Sequence, residues 1–185
     1  NLFLHRVEQN ISSTSAPAQT NGSVQDDALA GKKVLVVDDD VRNIFALNAL
    51  LESEDMAVET ANDGYESIEF LQNEPDVDVI LMDIMMPGMD GLETTKFLNE
   101  NYPSIKVLAL SMDDDENSIL KMIKSGAKGY LLKDIHPNIL KEALYGLIKD
   151  GYYHSKRVSD TLVHSLHPSS EKEVKLLDRE LEFLK

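Results

Sequence analysis

Four places in this sequence put chemically active side chains directly after a short apolar run. "VLVV" (34–37) is followed by Asp38, Asp39 and Asp40; "VDVILM" (77–82) by Asp83; "KVLAL" (106–110) by Ser111; and "GYLL" (129–132) by Lys133. Three or more carboxylates gathered at one edge repel strongly at low dielectric. A divalent cation between them relieves that repulsion. Oxygen-only ligands, with no His or Cys beside them, select a hard ion, Mg²⁺ or Mn²⁺, rather than zinc. A carboxylate beside such a cation can attack phosphorus and form an aspartyl phosphate. An opposing lysine and a nearby hydroxyl would then neutralise and bond the phosphoryl oxygens.

That chemistry requires the four runs to end at one edge of one sheet. A fifth run, "MAVET" (56–60), brings the number of short apolar segments to five. The runs at 34–37 and 79–82 are nearly all apolar, as strands buried on both faces must be. Amphipathic stretches separate them. In "VRNIFALNALLESE", Ile44, Leu47, Leu50 and Leu51 share a stripe; in "GYESIEFLQNE", Ile68 and Leu71 do; in "DENSILKMIKSG", Ile119, Leu120 and Ile123 do. Gly126 is placed to stop that third helix. "HPNILKEALYGLIKDG" opens with Pro137 in the first turn and closes at Gly151. Five β–α units in strict alternation imply a parallel sheet with helices on both faces. Sites in such sheets lie at the carboxyl ends of the strands.

Composition narrows the function classes. The chain has 185 residues, 42% hydrophobic, with no cysteine, which excludes disulfides, thiol catalysis and cysteine-ligated zinc. A formal net charge of −15 argues against direct nucleic-acid binding and against an anionic membrane surface. No apolar run is long enough to span a bilayer, and the first residues carry His5, Arg6 and Glu8 rather than a signal-peptide core. A cytoplasmic location is expected. The five histidines show no metal-ligand spacing with carboxylates. Residues 1–31 read as a tail and a Ser/Thr/Asn-rich linker. Residues 152–185 contain a short amphipathic helix candidate, "SDTLVHSLH", and a further helix start, "LLDRELEFLK".

The ordered set "VLVVDDD", "VILMDIMMPGMDG", "VLALS" and "GYLLKD" resembles the receiver domain of two-component response regulators. The resemblance covers residues 32–151. It implies an α/β, flavodoxin-like (βα)5 doubly wound fold with strand order 2-1-3-4-5. It implies Asp83 as phosphoacceptor and an acidic pair of Asp39, the direct Mg²⁺ ligand, and Asp38, acting through water. It adds the Met85 carbonyl as a ligand, Ser111 as the switch hydroxyl, Lys133 as the phosphoryl-binding lysine and Tyr130 as the aromatic switch. Met85 and Asp113 fall at positions that tune dephosphorylation, and Asp40 at one that faces solvent. The family usually has Pro after the lysine, in a cis peptide; here Asp134 stands there, and a cis non-proline bond costs about 2.5–4 kcal/mol.

The N-terminal half resembles a hybrid histidine kinase receiver, whereas "GYLLKD" and "DGYYHSKRV" resemble LuxR/NarL-type regulators, so the chain reads either as a fused or engineered one or as a natural chain with mixed features. "LLDRELEFLK" then resembles the truncated start of a LuxR-type helix-turn-helix domain. The implied function is a phosphorylation-activated switch rather than an enzyme. It would be fed by a sensor histidine kinase or phosphotransfer protein, and its output would be homodimerisation or release of an effector through the surface of helix 4, strand 5 and helix 5. Two other classes share parts of the pattern. A haloacid-dehalogenase-like phosphatase would use Asp38 and Asp40 as D-x-D, but Arg42 stands where it needs Thr or Ser. A flavodoxin-like nucleotide domain would need glycines in the first β–α turn, which has none.

Overall fold

The structure, a computed structural model, describes residues 28–166. Strands and helices alternate: β1 (Lys33–Val37), α1 (Val41–Glu52), β2 (Ala57–Ala61), α2 (Gly64–Asn73), β3 (Val79–Asp83), α3 (Gly91–Asn101), β4 (Lys106–Ser111), α4 (Glu116–Lys124), β5 (Gly129–Leu132), α5 (Pro137–Asp150) and α6 (Lys156–Leu166). The five strands form one parallel sheet in the order 2-1-3-4-5, as expected. β3 lies at its centre, with all five residues buried.

Alternation along the strands divides the core between the faces. Val34, Val36, Leu81, Leu108 and Leu131 pack with Leu47 and Leu51 of α1 and Leu140, Leu144 and Leu147 of α5. Leu35, Val37, Ile80, Met82 and Val107 point the other way, against Leu71 of α2 and Leu98 of α3. On that same side Ala109 and Tyr130 meet Ile119 and Met122 of α4 and Val158 of α6. Each fully buried leucine contributes about 1.5–3 kcal/mol relative to exposure.

The helices start where their caps dictate. Asp40, Asp63, Asp90 and Asp115 each accept a backbone N–H of the first turn of α1 to α4, the N-cap role short acidic side chains fill best. α5 begins with Pro137 and ends at Gly151, whose φ of 85° is a left-handed cap. α3 has no strong apolar stripe, because its buried face is Gly91, Thr94, Thr95 and Leu98. Small residues are needed there: a Cβ on Gly64 of α2 would lie 2.1 Å from Thr94 Oγ1.

Several boundaries differ from expectation. β3 starts at Val79 rather than Val77, because Asp78 turns its carboxylate back to the Lys33 N–H (2.9 Å) and Lys32 Nζ (3.1 Å). β2 lies one residue later than read. Asp83 and Ser111 are the last residues of their strands, not the first of their loops. The buried stripe of α4 is Ile119 and Met122, with Leu120 and Ile123 half-buried. Lys133–Asp134 is trans, and no cis peptide occurs among the described residues. No helix among them is long and apolar enough to cross a membrane. α6 begins three residues before the "SDTLVHSLH" stretch. The tail at 1–27 and "LLDRELEFLK" lie outside the described residues.

Candidate functional site

Sheet register brings the reactive groups to one edge. Val37 pairs with Met82, Asp83 with Leu110 and Ser111 with Leu132. Asp38 therefore emerges level with Asp83, Ser111 one residue further on and Lys133 two. Asp38, Asp83 and Lys133 are all buried, at 1%, 5% and 6% exposure. Lys133 Nζ lies 2.7 Å from Asp38 Oδ2 and 2.8 Å from Asp83 Oδ2, so one ammonium bridges two buried carboxylates. Burial pushes the Asp83 carboxyl above the usual range, the hydrogen bond and charge of Lys133 oppose this, and the neighbouring Asp38 adds to it.

Oxygens of Asp38, Asp39 and Asp83 lie within 4.8 Å of one another. All the donors are carboxylate oxygens, which fits a hard divalent cation. The three aspartates that follow β1 have separate surroundings. Asp38 accepts from Lys133, from the Asp40 N–H (2.9 Å) and from Asn43 Nδ2 (3.1 and 3.2 Å). Its lone pairs are largely taken. Asp39 is exposed and accepts no hydrogen bond from the described residues, which leaves its carboxylate available. Asp40 caps α1 and is held by Arg42 through the backbone N–H and guanidinium. Those contacts, opposed by slight desolvation, bring its pKa down to about 2.

Two residues at the site were not singled out from sequence. Asn43 lies in the first turn of α1, and only the folded helix shows its amide facing Asp38. Gly91 opens α3 against the end of β3. A Cβ there would stand 2.1 Å from the Asp83 carbonyl oxygen and 2.8 Å from Ile84 Cα. Backbone atoms of Asp83 and Ile84, which cannot swing aside like a flexible side chain, favour glycine there, and the motif "MMPGMDG" carried that signal.

The remaining candidates lie around this centre. Ser111 is buried, and its Oγ accepts from the Asp113 N–H at 3.0 Å. The Asp113 carbonyl accepts from the Tyr130 hydroxyl at 2.5 Å. Tyr130 points inward at 3% exposure, and burial raises its pKa. The Asp113 carboxylate accepts from the Asp115 N–H (3.0 Å), within its own loop. Met85 exposes its side chain, and its N–H donates to Asp83 Oδ1 at 3.3 Å. The strand-1 nucleophile of the phosphatase alternative finds no support here. Asp38 is held by Lys133, Asn43 and the Asp40 N–H, and Asp40 is turned to Arg42 at the start of the helix.

Comparison with known proteins agrees with this geometry. Residues 34–145 match the response regulator receiver domain family. The chain is 36% identical to the transcriptional regulatory protein DegU of Brevibacillus brevis over 71% of its own length and 56% of DegU's. It is 34% identical to the oxygen regulatory protein NreC of Staphylococcus haemolyticus, covering 82% of this chain and 75% of that one. The nitrate/nitrite response regulator NarP of Escherichia coli is 36% identical, with 70% of this chain and 61% of NarP covered. The chain thus spans less than two thirds of DegU and of NarP. Among solved structures, RcsB of Salmonella typhimurium superposes with a TM-score of 0.68 at 26% identity, over 82% of this chain and 78% of RcsB. A CheY of Borrelia burgdorferi, solved with CheX, beryllofluoride and magnesium, gives 0.60 at 27% identity, over 64% of this chain and 90% of that one. With a family match over more than half its residues and the expected groups at the carboxyl edge of a 2-1-3-4-5 sheet, the chain belongs to the response regulator receiver domain family.

Proposed function

We propose that this chain is a phosphorylation switch whose acceptor is Asp83. The observation that carries the reading is the bridging of two buried carboxylates by Lys133. A charge arrangement this costly in a core makes sense as a site for a transferred anion. Asp83 attacks the phosphorus of a partner's phosphohistidine. Its oxygen forms the new O–P bond, the P–N bond breaks, and the imidazole nitrogen leaves with the electron pair. Asp39 and Asp83, with the Met85 carbonyl, are the residues that would hold Mg²⁺ or Mn²⁺, with Asp38 acting through water. When bound, the cation supplies positive charge to the phosphoryl oxygens. Lys133 then exchanges a contact with Asp83 for one with the phosphoryl group, and Ser111 donates its hydroxyl proton to another oxygen. The added charge of about −1.5 to −2 biases an existing two-state equilibrium, with Tyr130 as the group that follows Ser111. The exposed Met85 and Asp113 are placed to tune hydrolysis.

The chain assists only its own phosphorylation and dephosphorylation. The donor is a sensor histidine kinase or a phosphotransfer protein. Val41, Met85 and Met112, each within a few residues of the carboxyl end of a strand, expose apolar side chains, an apolar rim suited to such a partner. Output runs through homodimerisation or an attached effector, in keeping with the transcription regulators it is related to. At a net charge of −15, DNA contact falls to other segments. A cytoplasmic location accords with this role. Residues 32–151 are read as the receiver, and 152–185 as a helical linker and the truncated start of a LuxR-type helix-turn-helix domain.

Incubation with Mg²⁺ and acetyl phosphate tests the reading by intact mass. The expected result is the gain of one phosphoryl group in the wild type and none in Asp83→Asn. Labelling of Asp83→Asn equal to wild type would overturn it.

A further inference from the structure

The chain that follows α5 turns back along β5, the edge strand of the sheet. The Tyr153 N–H donates to the Lys128 carbonyl at 2.8 Å, and Tyr153 forms a parallel bridge with Gly129. Gly129 already pairs with Leu108 of β4 on its other side, so Tyr153 takes the open edge. The approach is close: a Cβ on Gly129 would stand 2.8 Å from the Tyr153 carbonyl oxygen. On one side of the sheet, Tyr153 packs against the cluster that holds Leu144 and Leu147 of α5. On the other side, Val158 and Leu162 of α6 join Ile119 and Met122 of α4 and Tyr130 of β5, with Val158 at 1% exposure. Residues 152–162 therefore lie across α4, β5 and α5 together. Among the described residues, no large apolar side chain of α4 or β5 is exposed.

We infer that residues 152–162 are a cap on the surface of α4, β5 and α5, and that a second copy of this chain pairs there only once the cap is released. The inference rests on the homodimerisation reading above and is independent of which residue accepts the phosphoryl group. Release bares the edge of β5 beside the apolar side chains that Val158 and Leu162 now cover. An unpaired strand edge is a template for pairing with another chain. An identical copy brings the same edge and the same apolar patch, the self-complementarity that a two-fold dimer requires. With the cap docked, Tyr153 occupies the edge and Val158 the patch, so the two arrangements exclude each other.

The cap is held short of its tightest fit. Thr161 is buried at 2% exposure, and its Oγ1 has no hydrogen-bond partner. A buried hydroxyl without a partner is penalised, and release returns it to water.

Sedimentation velocity on the full chain measures self-association. Runs with and without beryllofluoride and Mg²⁺, a phosphoryl mimic, cover both states of the switch, and variants are compared within one condition. Val158→Ala removes buried methyl groups from the cap and is expected to loosen its docking about tenfold. Both copies must release, so the effect squares, and dimer association is expected to strengthen about a hundredfold. Thr161→Val removes the hydroxyl penalty and tightens docking about fivefold, so adding it to Val158→Ala is expected to weaken association about twenty-fivefold. Val77→Ala makes the same truncation in the cluster against α2 and α3 and is expected to leave association as in wild type. That control separates release of the cap from general destabilisation. Association that is equal in wild type, Val158→Ala and the double variant, or that Val77→Ala strengthens as much as Val158→Ala, overturns the cap and leaves homodimerisation to another surface. Absence of self-association in every variant and condition overturns the homodimerisation reading and the cap with it, while labelling of Asp83 by acetyl phosphate decides the acceptor reading separately.

Discussion

Replacing Lys133 with methionine keeps most of the side-chain volume and removes the charge that separates two buried acids. The oxygens of Asp38 and Asp83 lie within 4.8 Å. At an effective dielectric of about 20, two unit charges at that distance repel by roughly 3.5 kcal/mol. Removing one partner of a buried ion pair costs roughly 3–5 kcal/mol in general. Lys133→Met is therefore expected to lose about 3–4 kcal/mol at pH 8 in EDTA.

The pH dependence has a definite sign. The folded-state pKa of Asp83 is already above its ordinary value through burial. A raised carboxyl pKa means the folded state holds the extra proton, so stability falls as pH rises from the unfolded value of about 3.9 through the folded one. Without Lys133 the folded value rises further and the window extends upward. The deficit should shrink at pH 5 and be full at pH 8. Urea unfolding by circular dichroism, run on wild type, Lys133→Met, Asp83→Asn and the double variant, measures this. Asp83→Asn should restore about 3 kcal/mol in the Lys133→Met background and far less in wild type. A Lys133→Met loss below about 0.5 kcal/mol at pH 8, or one equal at both pH values, would refute the electrostatic reasoning.

Three further substitutions probe the site. Asp39→Asn should leave stability in EDTA unchanged or higher, yet abolish the gain from Mg²⁺, which for a competent site is about 2.7 kcal/mol at one hundred times Kd; thermal melts with and without the ion check it. Asn43→Leu removes the amide that donates to both oxygens of Asp38 and should cost about 1.5–3 kcal/mol in urea. Gly91→Ala forces a Cβ against the Asp83 carbonyl; a loss of about 1–3 kcal/mol and slower uptake from acetyl phosphate are expected, by denaturation and mass spectrometry.

Much of the site was legible because strand ends and reactive residues coincide in the sequence. Apolar runs closing on Asp, Asp, Ser and Lys mark a candidate site edge from the sequence alone. α3 was legible only through the alternation of elements. It packs on α2 through small residues, so it carries no stripe of large apolar side chains. Asn43 was hidden because an amide in the first turn of a helix looks like any surface asparagine until the helix is docked. The docking of α6 was hidden for a related reason. Its amphipathic face was visible, but nothing local says which surface that face covers.

The sequence alone determined the class of fold, the order of the elements and the kind of chemistry. Those follow from periodicity and from which side chains can hold a cation or accept a phosphoryl group. Tertiary structure decided how the three aspartates differ. They are adjacent in the chain and identical in type. Yet one turns in to Lys133 and Asn43, one is left open at the edge, and one caps α1 with Arg42. Register and helix docking, which depend on contacts tens of residues away, set the environment of each carboxylate, and that environment sets its part in the chemistry.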